Sequence, residues 1–361
     1  MRAWLAEQLL ARVMEYSARD LVEVRAELQA FASLKYDDYE QYWPGQRFIE
    51  RLALWLEQFG ADQKRDAMEF VLRRLYFHSR QEMHHLVTMA FPDHIKPRIM
   101  ASVADRLGLP RFNVGAIAKS KEYAVDLRSS LFLGLSDGAH VDVFRRANPQ
   151  LSNEQVWLTY DISPEKAADL GKKLRSDLEG LLGRAPLDSE AFFKHVFLLD
   201  DFSGSGASYI REKDGEIRGK IRRVADNLAD VLRGVVSPAA SVTIVLYLAT
   251  ERACSRIQSL MPRIPSFSTA GLTVVQQLPE WFCVDPIKDA AFYSVVENDK
   301  YYDQECYDAH SEVGETEDVK LGFAGVGLPL VLAHNTPNNS LFLLWSFSET
   351  VLGLFPRVSR H

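Results

Sequence analysis

The stretch VFLLDDFSGSGAS, residues 196–208, runs from four apolar residues into two adjacent acids and then into a loop of small residues. The apolar run has the character of a strand buried on both faces, as parallel strands covered by helices are. Neighbouring residues on a strand point to opposite sides, so Asp200 and Asp201 are expected on opposite faces of its C-terminal end. Gly204 and Gly206 permit a tight turn and a close approach of backbone to ligand. Ser203, Ser205, Ala207 and Ser208 complete the loop, with Ser205 and Ser208 offering hydroxyl donors. A helix starting near Ser208 would aim its N–H groups at an anion. The combination is a phosphate cradle beside an acidic pair suited to a diol. No Gly-Lys-Ser/Thr follows the glycines, which excludes a Walker-type loop.

Working outward, residues 131–135 predict a second strand that ends in the turn Ser136, Asp137, Gly138 and Ala139. Asp-Gly is also an everyday turn. Arg145 and Arg146 follow; each suits bidentate phosphate contact and equally suits a solvated helix face. Residues 155–160 predict a strand, and Ser163-Pro164 opens a helix to about Leu182. Residues 211–223 hold six basic and three acidic side chains around an Asp214-Gly215 turn. A solvated loop and helix face is the preferred reading, over a mobile lid or a patch for an anionic partner. Residues 241–248 and 271–276 read as strands around a helix at 251–261. The alternation argues for an α/β fold with a parallel sheet flanked by helices, and for ligand loops gathered at one sheet edge.

The chain has 361 residues, 47% hydrophobic and 25% charged, which suits a globular protein. Its net charge of -7 argues against a general nucleic-acid surface. Cys254, Cys283 and Cys306 are far apart; they fit a reducing cytoplasm and no zinc site. Glu7, Arg12 and Glu15 interrupt the first apolar residues, so no secretion signal is expected. No run reaches membrane-spanning length.

Residues 1–110 predict a helical N-terminal region. Phe48, Leu52, Trp55, Leu56 and Phe59 recur at helical spacing before Gly60, and Ser79 with Glu82 forms a capping box. His78, His84 and His85 are expected as exposed or capping residues rather than metal ligands. Pro92, Pro97 and Pro110 are expected to punctuate the passage into an α/β core at 111–285. A C-terminal extension at 286–361 predicts strands at 328–333 and 341–345. Between them His334, Asn335, Thr336, Pro337, Asn338 and Asn339 either read a base edge or satisfy their own backbone as a structural loop.

The 196–208 stretch resembles the ribose-5-phosphate motif of type I phosphoribosyltransferases, with Gly204 standing where a threonine is common. The resemblance implies a fold of that kind, with Asp200 and Asp201 holding ribose hydroxyls and organising Mg²⁺. It implies that the loop to Ser208 wraps the 5′-phosphate, leaving Ser205 exposed in the empty site, and that Ser136 to Ala139 holds pyrophosphate. SSLFLGLSDGAHVDVFRR (129–146) and GFAGVGLPLVLAHNTPNNSLFLLW (322–345), with Phe355-Pro356-Arg357, are similar to the bacterial PRTase-CE group of conflict and antiphage gene systems. That likeness covers about residues 45–357. It implies phosphoribosyl transfer or N-glycosidic cleavage on phosphoribosyl pyrophosphate or a nucleotide. The expected role is an effector beside a sensor or nucleic-acid-handling partner, away from membranes. A non-enzymatic nucleotide sensor, or a partner-binding component of a defence complex, is the competing class.

Overall fold

A computed structural model describes residues 3–357. They form two compact units, one from the residues up to Glu82 together with those from Pro279 onward, the other Met83–Leu278. The divisions expected at 110 and 285 therefore fall differently: the first and last segments share one core. The reason is an apolar helix face with no local cover. Helix Phe48–Glu57 buries Phe48, Leu52, Trp55 and Leu56, and the Trp55 indole donates to the Leu343 carbonyl at 2.9 Å. Phe48 stacks on Phe355 with centroids 5.8 Å apart. A short strand Tyr76–His78 pairs in parallel with Leu330–Leu332. This burial leaves His78 only 2% exposed, contrary to expectation.

The second unit contains a five-stranded sheet: β1 (Ser130–Gly134), β2 (Val156–Trp157), β3 (Phe193–Ser203), β4 (Val236–Thr250) and β5 (Gly271–Leu278). All neighbours are parallel and the order is β2-β1-β3-β4-β5. Val196 and Leu198 on β3, with Ile244 and Leu246 on β4, pack among Leu170, Leu174, Ile221, Val224 and Ile257 from three helices. The opposite face carries Phe132 stacked on Phe197 at 5.3 Å, with Phe91 and Phe144 against Phe132. Burial on both faces is why the strand reads as an unbroken apolar run; each such side chain contributes about 1.5–3 kcal/mol.

The order reverses direction between β1 and β3: the chain leaves β1 for β2 on one side and returns to β3 on the other. In parallel sheets a ligand crevice opens at the strand C-termini of such a switch point. Both small-residue loops singled out above follow these two strands.

Several expected elements differ. Pro92 and Pro97 do not break the helix, because a π-helical segment Ala90–Ile95 links Arg80–Met89 to Lys96–Leu107. Pro97 lies at the start of the latter, directly after the π-helical segment. The strand at 155–160 is only Val156–Trp157, and 328–333 only Leu330–Leu332. Residues 341–345 form no strand; Phe342–Trp345 is a single helical turn. Short apolar runs specify burial without specifying period. Among the described residues, no helix is long and apolar enough to cross a membrane.

Candidate functional site

The ends of β1 and β3 stay paired one residue past β1, with the Leu135 N–H donating to the Leu199 carbonyl at 2.8 Å. Ser136 then turns its hydroxyl onto Asp200 Oδ1. Gly138 lies against the second acid: a Cβ there would sit 2.4 Å from Asp201 Oδ2, so a larger residue would push that carboxylate aside. The Tyr247 hydroxyl, fully buried on β4, holds the turn by donating to the Ala139 carbonyl at 2.9 Å. Asp137 is exposed. The turn and the acidic pair thus share one crevice at the switch point.

Asp200 is 1% exposed and its carboxylate is fully engaged. Oδ1 accepts from Ser136 and from the Asp201 N–H at 3.2 Å. Oδ2 accepts from the Tyr209 hydroxyl and from Lys220 Nζ at 2.7 Å. The Lys220 ammonium also lies 4.7 Å above the Tyr209 ring. Burial raises the Asp200 pKa above its ordinary value; Lys220 opposes this and the Asp201 charge adds to it. Burial, then the Asp200 and Asp201 charges, push the Tyr209 phenol well above its ordinary value, so it remains a neutral donor.

Asp201 is half-buried, on the other face. Asp200 does not suit a divalent cation, since its oxygens are all taken and its neighbour is an ammonium; Asp201 is the other carboxylate of the pair. Among the described residues, no three His, Cys, Asp or Glu side chains come together as a metal site. An ion held by one carboxylate and by ligand phosphates is the usual magnesium arrangement.

The loop after β3 is tucked in more deeply than expected. Ser203 and Ser205 are each 3% exposed and Ala207 is buried; Ser208 is the exposed member. The cause is local. Thr250 Oγ1 donates to the Gly204 carbonyl at 2.5 Å. Gly206, at φ 73°, packs so that a Cβ would meet the Ala253 carbonyl at 3.0 Å. Ser205 Oγ accepts the Ala207 N–H at 3.3 Å.

The helix expected from Ser208 is interrupted. Ile210 N–H donates to the Gly206 carbonyl at 2.9 Å, a first helical turn. The chain then leaves as a hairpin, Arg211–Lys213 against Glu216–Arg218, turning at Asp214 and Gly215 with positive φ. It rejoins the same helical turn: Lys220 N–H donates to Ser208 O at 3.1 Å and Ile221 N–H to Tyr209 O at 3.0 Å. Helix Lys220–Asp230 therefore continues from residues 206–210. Tyr209 and Lys220 bracket the insertion and meet at Asp200. Lys220 registers in the sequence only as one of six basic residues, because its helical relation to Tyr209 is hidden by the hairpin between them.

The remaining candidates are engaged elsewhere. Arg145 donates to Asn153 Oδ1 at 3.0 Å and Arg146 to Asp142 at 2.8 Å, both exposed. The loop at 334–339 lies in the first unit. Thr336 Oγ1 donates to the Phe355 carbonyl at 2.8 Å, and Asn339 Nδ2 to the Phe323 carbonyl at 3.0 Å. The carbonyls of His334 and Asn338 accept from Gln41 and from the Phe323 N–H. Asn335 Oδ1 is enclosed with no donor. These contacts support the structural-loop reading.

Residues 52–357 match the family model described as PRTase-CE. No curated protein and no solved structure matches the chain.

Proposed function

We propose that this chain, which belongs to the PRTase-CE family and is phosphoribosyltransferase-like, binds the ribose 5-phosphate part of phosphoribosyl pyrophosphate or a nucleotide and acts at its anomeric carbon. The supporting observation is the convergence of two small-residue loops on Asp200 and Asp201 at the switch point of a parallel sheet. The 205–208 loop takes the 5′-phosphate. Asp201 takes the ribose hydroxyls and holds a Mg²⁺, which when bound would neutralise pyrophosphate charge. The 136–139 turn takes the leaving group. Asp200, held by Ser136, Tyr209 and Lys220, fixes the floor of the crevice. A transition state with oxocarbenium character gains from the nearby carboxylate charge and from fixed geometry. Transfer and N-glycosidic cleavage both suit this arrangement. Cys254, Cys283 and Cys306, which form no disulfide, support a reducing cytoplasm, where the family resemblance suggests a defence effector acting with a sensor or nucleic-acid-handling partner.

A second reading, binding without turnover, draws on the complete satisfaction of Asp200 by protein groups. Incubation with phosphoribosyl pyrophosphate and a nucleotide panel, followed by mass spectrometry, separates the two. New products that vanish in Asp201→Asn support catalysis; saturable binding with no product supports the sensor; neither result overturns both.

A further inference from the structure

The hairpin that interrupts the helix carries a cluster of guanidinium groups. Arg211 and Arg218 are register partners across its two strands, and like charges placed opposite each other destabilise a ribbon. Arg223 follows on the next helix and, with Arg218, is one of the charges bearing on Arg211. The nearby acids do little to offset them. Glu212 is forked by Arg263 at 2.5 and 2.9 Å, and Asp226 is paired with Arg222. Asp214 is 3.8 Å from Arg218, with both side chains largely exposed; Glu216, on the second strand, is exposed.

Arg211 also reaches back to the phosphate loop. Its Nη1 donates to the Ala207 carbonyl at 3.3 Å, while its Nε is enclosed with no acceptor. Guanidinium groups offer phosphate a planar, charge-assisted fork. We infer that Arg211 and Arg218 form a second phosphate site continuous with the 205–208 loop, so that the ligand is a nucleoside 5′-di- or triphosphate. This rests on the assignment of that loop to a 5′-phosphate.

The test is calorimetric titration of the full chain with ribose 5-phosphate and with the 5′-mono-, di- and triphosphates of the four common ribonucleosides. Wild type is expected to bind a triphosphate at least ~10-fold more tightly than its monophosphate. Arg218→Gln, which leaves the Ala207 contact intact, should flatten that series without weakening the monophosphate, and the double variant Arg211→Gln/Arg218→Gln should flatten it further. A flat series in wild type, or a full gradient in the double variant, overturns the inference. If monophosphate binding is still abolished by Ser208→Asp, the proposed function survives that result. Absence of binding by every ligand, or indifference of all affinities to Ser208→Asp, overturns both.

Discussion

Four donors meet at Asp200, and that makes it a different residue from Asp201 despite their adjacency. In Asp200→Asn the amide N–H₂ would face either the Asp201 N–H or the Lys220 ammonium, neither of which can accept a hydrogen bond. A buried donor without an acceptor costs about 1–3 kcal/mol, so this variant should melt earlier. Asp201→Asn, at a half-buried position, should lose less thermal stability yet lose ligand binding and turnover. Equal thermal stability of the two variants would refute the distinction.

The charge state of Asp200 also gives a pH dependence. Its folded pKa is raised, so its contribution to stability is present below the ordinary carboxylate range and is lost as pH rises through the folded value. Lys220 opposes that rise, so Lys220→Met should steepen the loss; denaturant midpoints measured across pH for both proteins will check it. The two acids and their opposite orientations were legible in the sequence, since strand alternation fixes them. Tyr209 and Lys220 were not, because nothing local links two residues separated by a hairpin.

At the scale of elements, the interrupted helix makes Gly219 the sensitive position. Its φ is 120°, and a Cβ would lie 2.5 Å from the Tyr209 carbonyl. Gly219→Ala should therefore destabilise the protein by about 1–3 kcal/mol. Deleting residues 211–218 joins Ile210 directly to Gly219, restoring helical spacing between Tyr209 and Ile221. In that background the same Gly219→Ala change should instead stabilise, by about 0.5–1 kcal/mol, as alanine does inside a helix. Chemical denaturation of the four proteins tests the reversal; destabilisation in both backgrounds would contradict it. The sequence showed the Asp214-Gly215 turn and a helical entry near Ser208, but not that one lies within the other. It misassigned 341–345, where the apolar run is a helical turn buried by tertiary contacts.

At the scale of the molecule, the parallel sheet was legible because buried parallel strands carry a strong local pattern. The shared core of the chain's two ends was not, since no local pattern announces that Trp55 pairs with the Leu343 carbonyl. His78 belongs to that core. Burial lowers its pKa from 6.5 to about 4, with Glu82 opposing and Lys35 and His334 adding to the fall. The fold holds it neutral, so the associated stability is present above 6.5 and is lost as pH falls towards about 4. The difference amounts to about 3 kcal/mol. In His78→Gln, that acid-dependent loss should disappear from a plot of unfolding free energy against pH; an unchanged slope would refute it.

The crevice beside Asp201 and the 205–208 loop is proposed to bind a ribose 5-phosphate group. Ser208 is the exposed hydroxyl of that loop, so a carboxylate there repels a phosphate without disturbing buried packing. Titration of phosphoribosyl pyrophosphate into wild type and Ser208→Asp is the most direct measurement. Saturable binding to wild type and a loss of at least ~10-fold in the variant are expected; equal affinity for the two proteins would contradict a phosphate site in this loop.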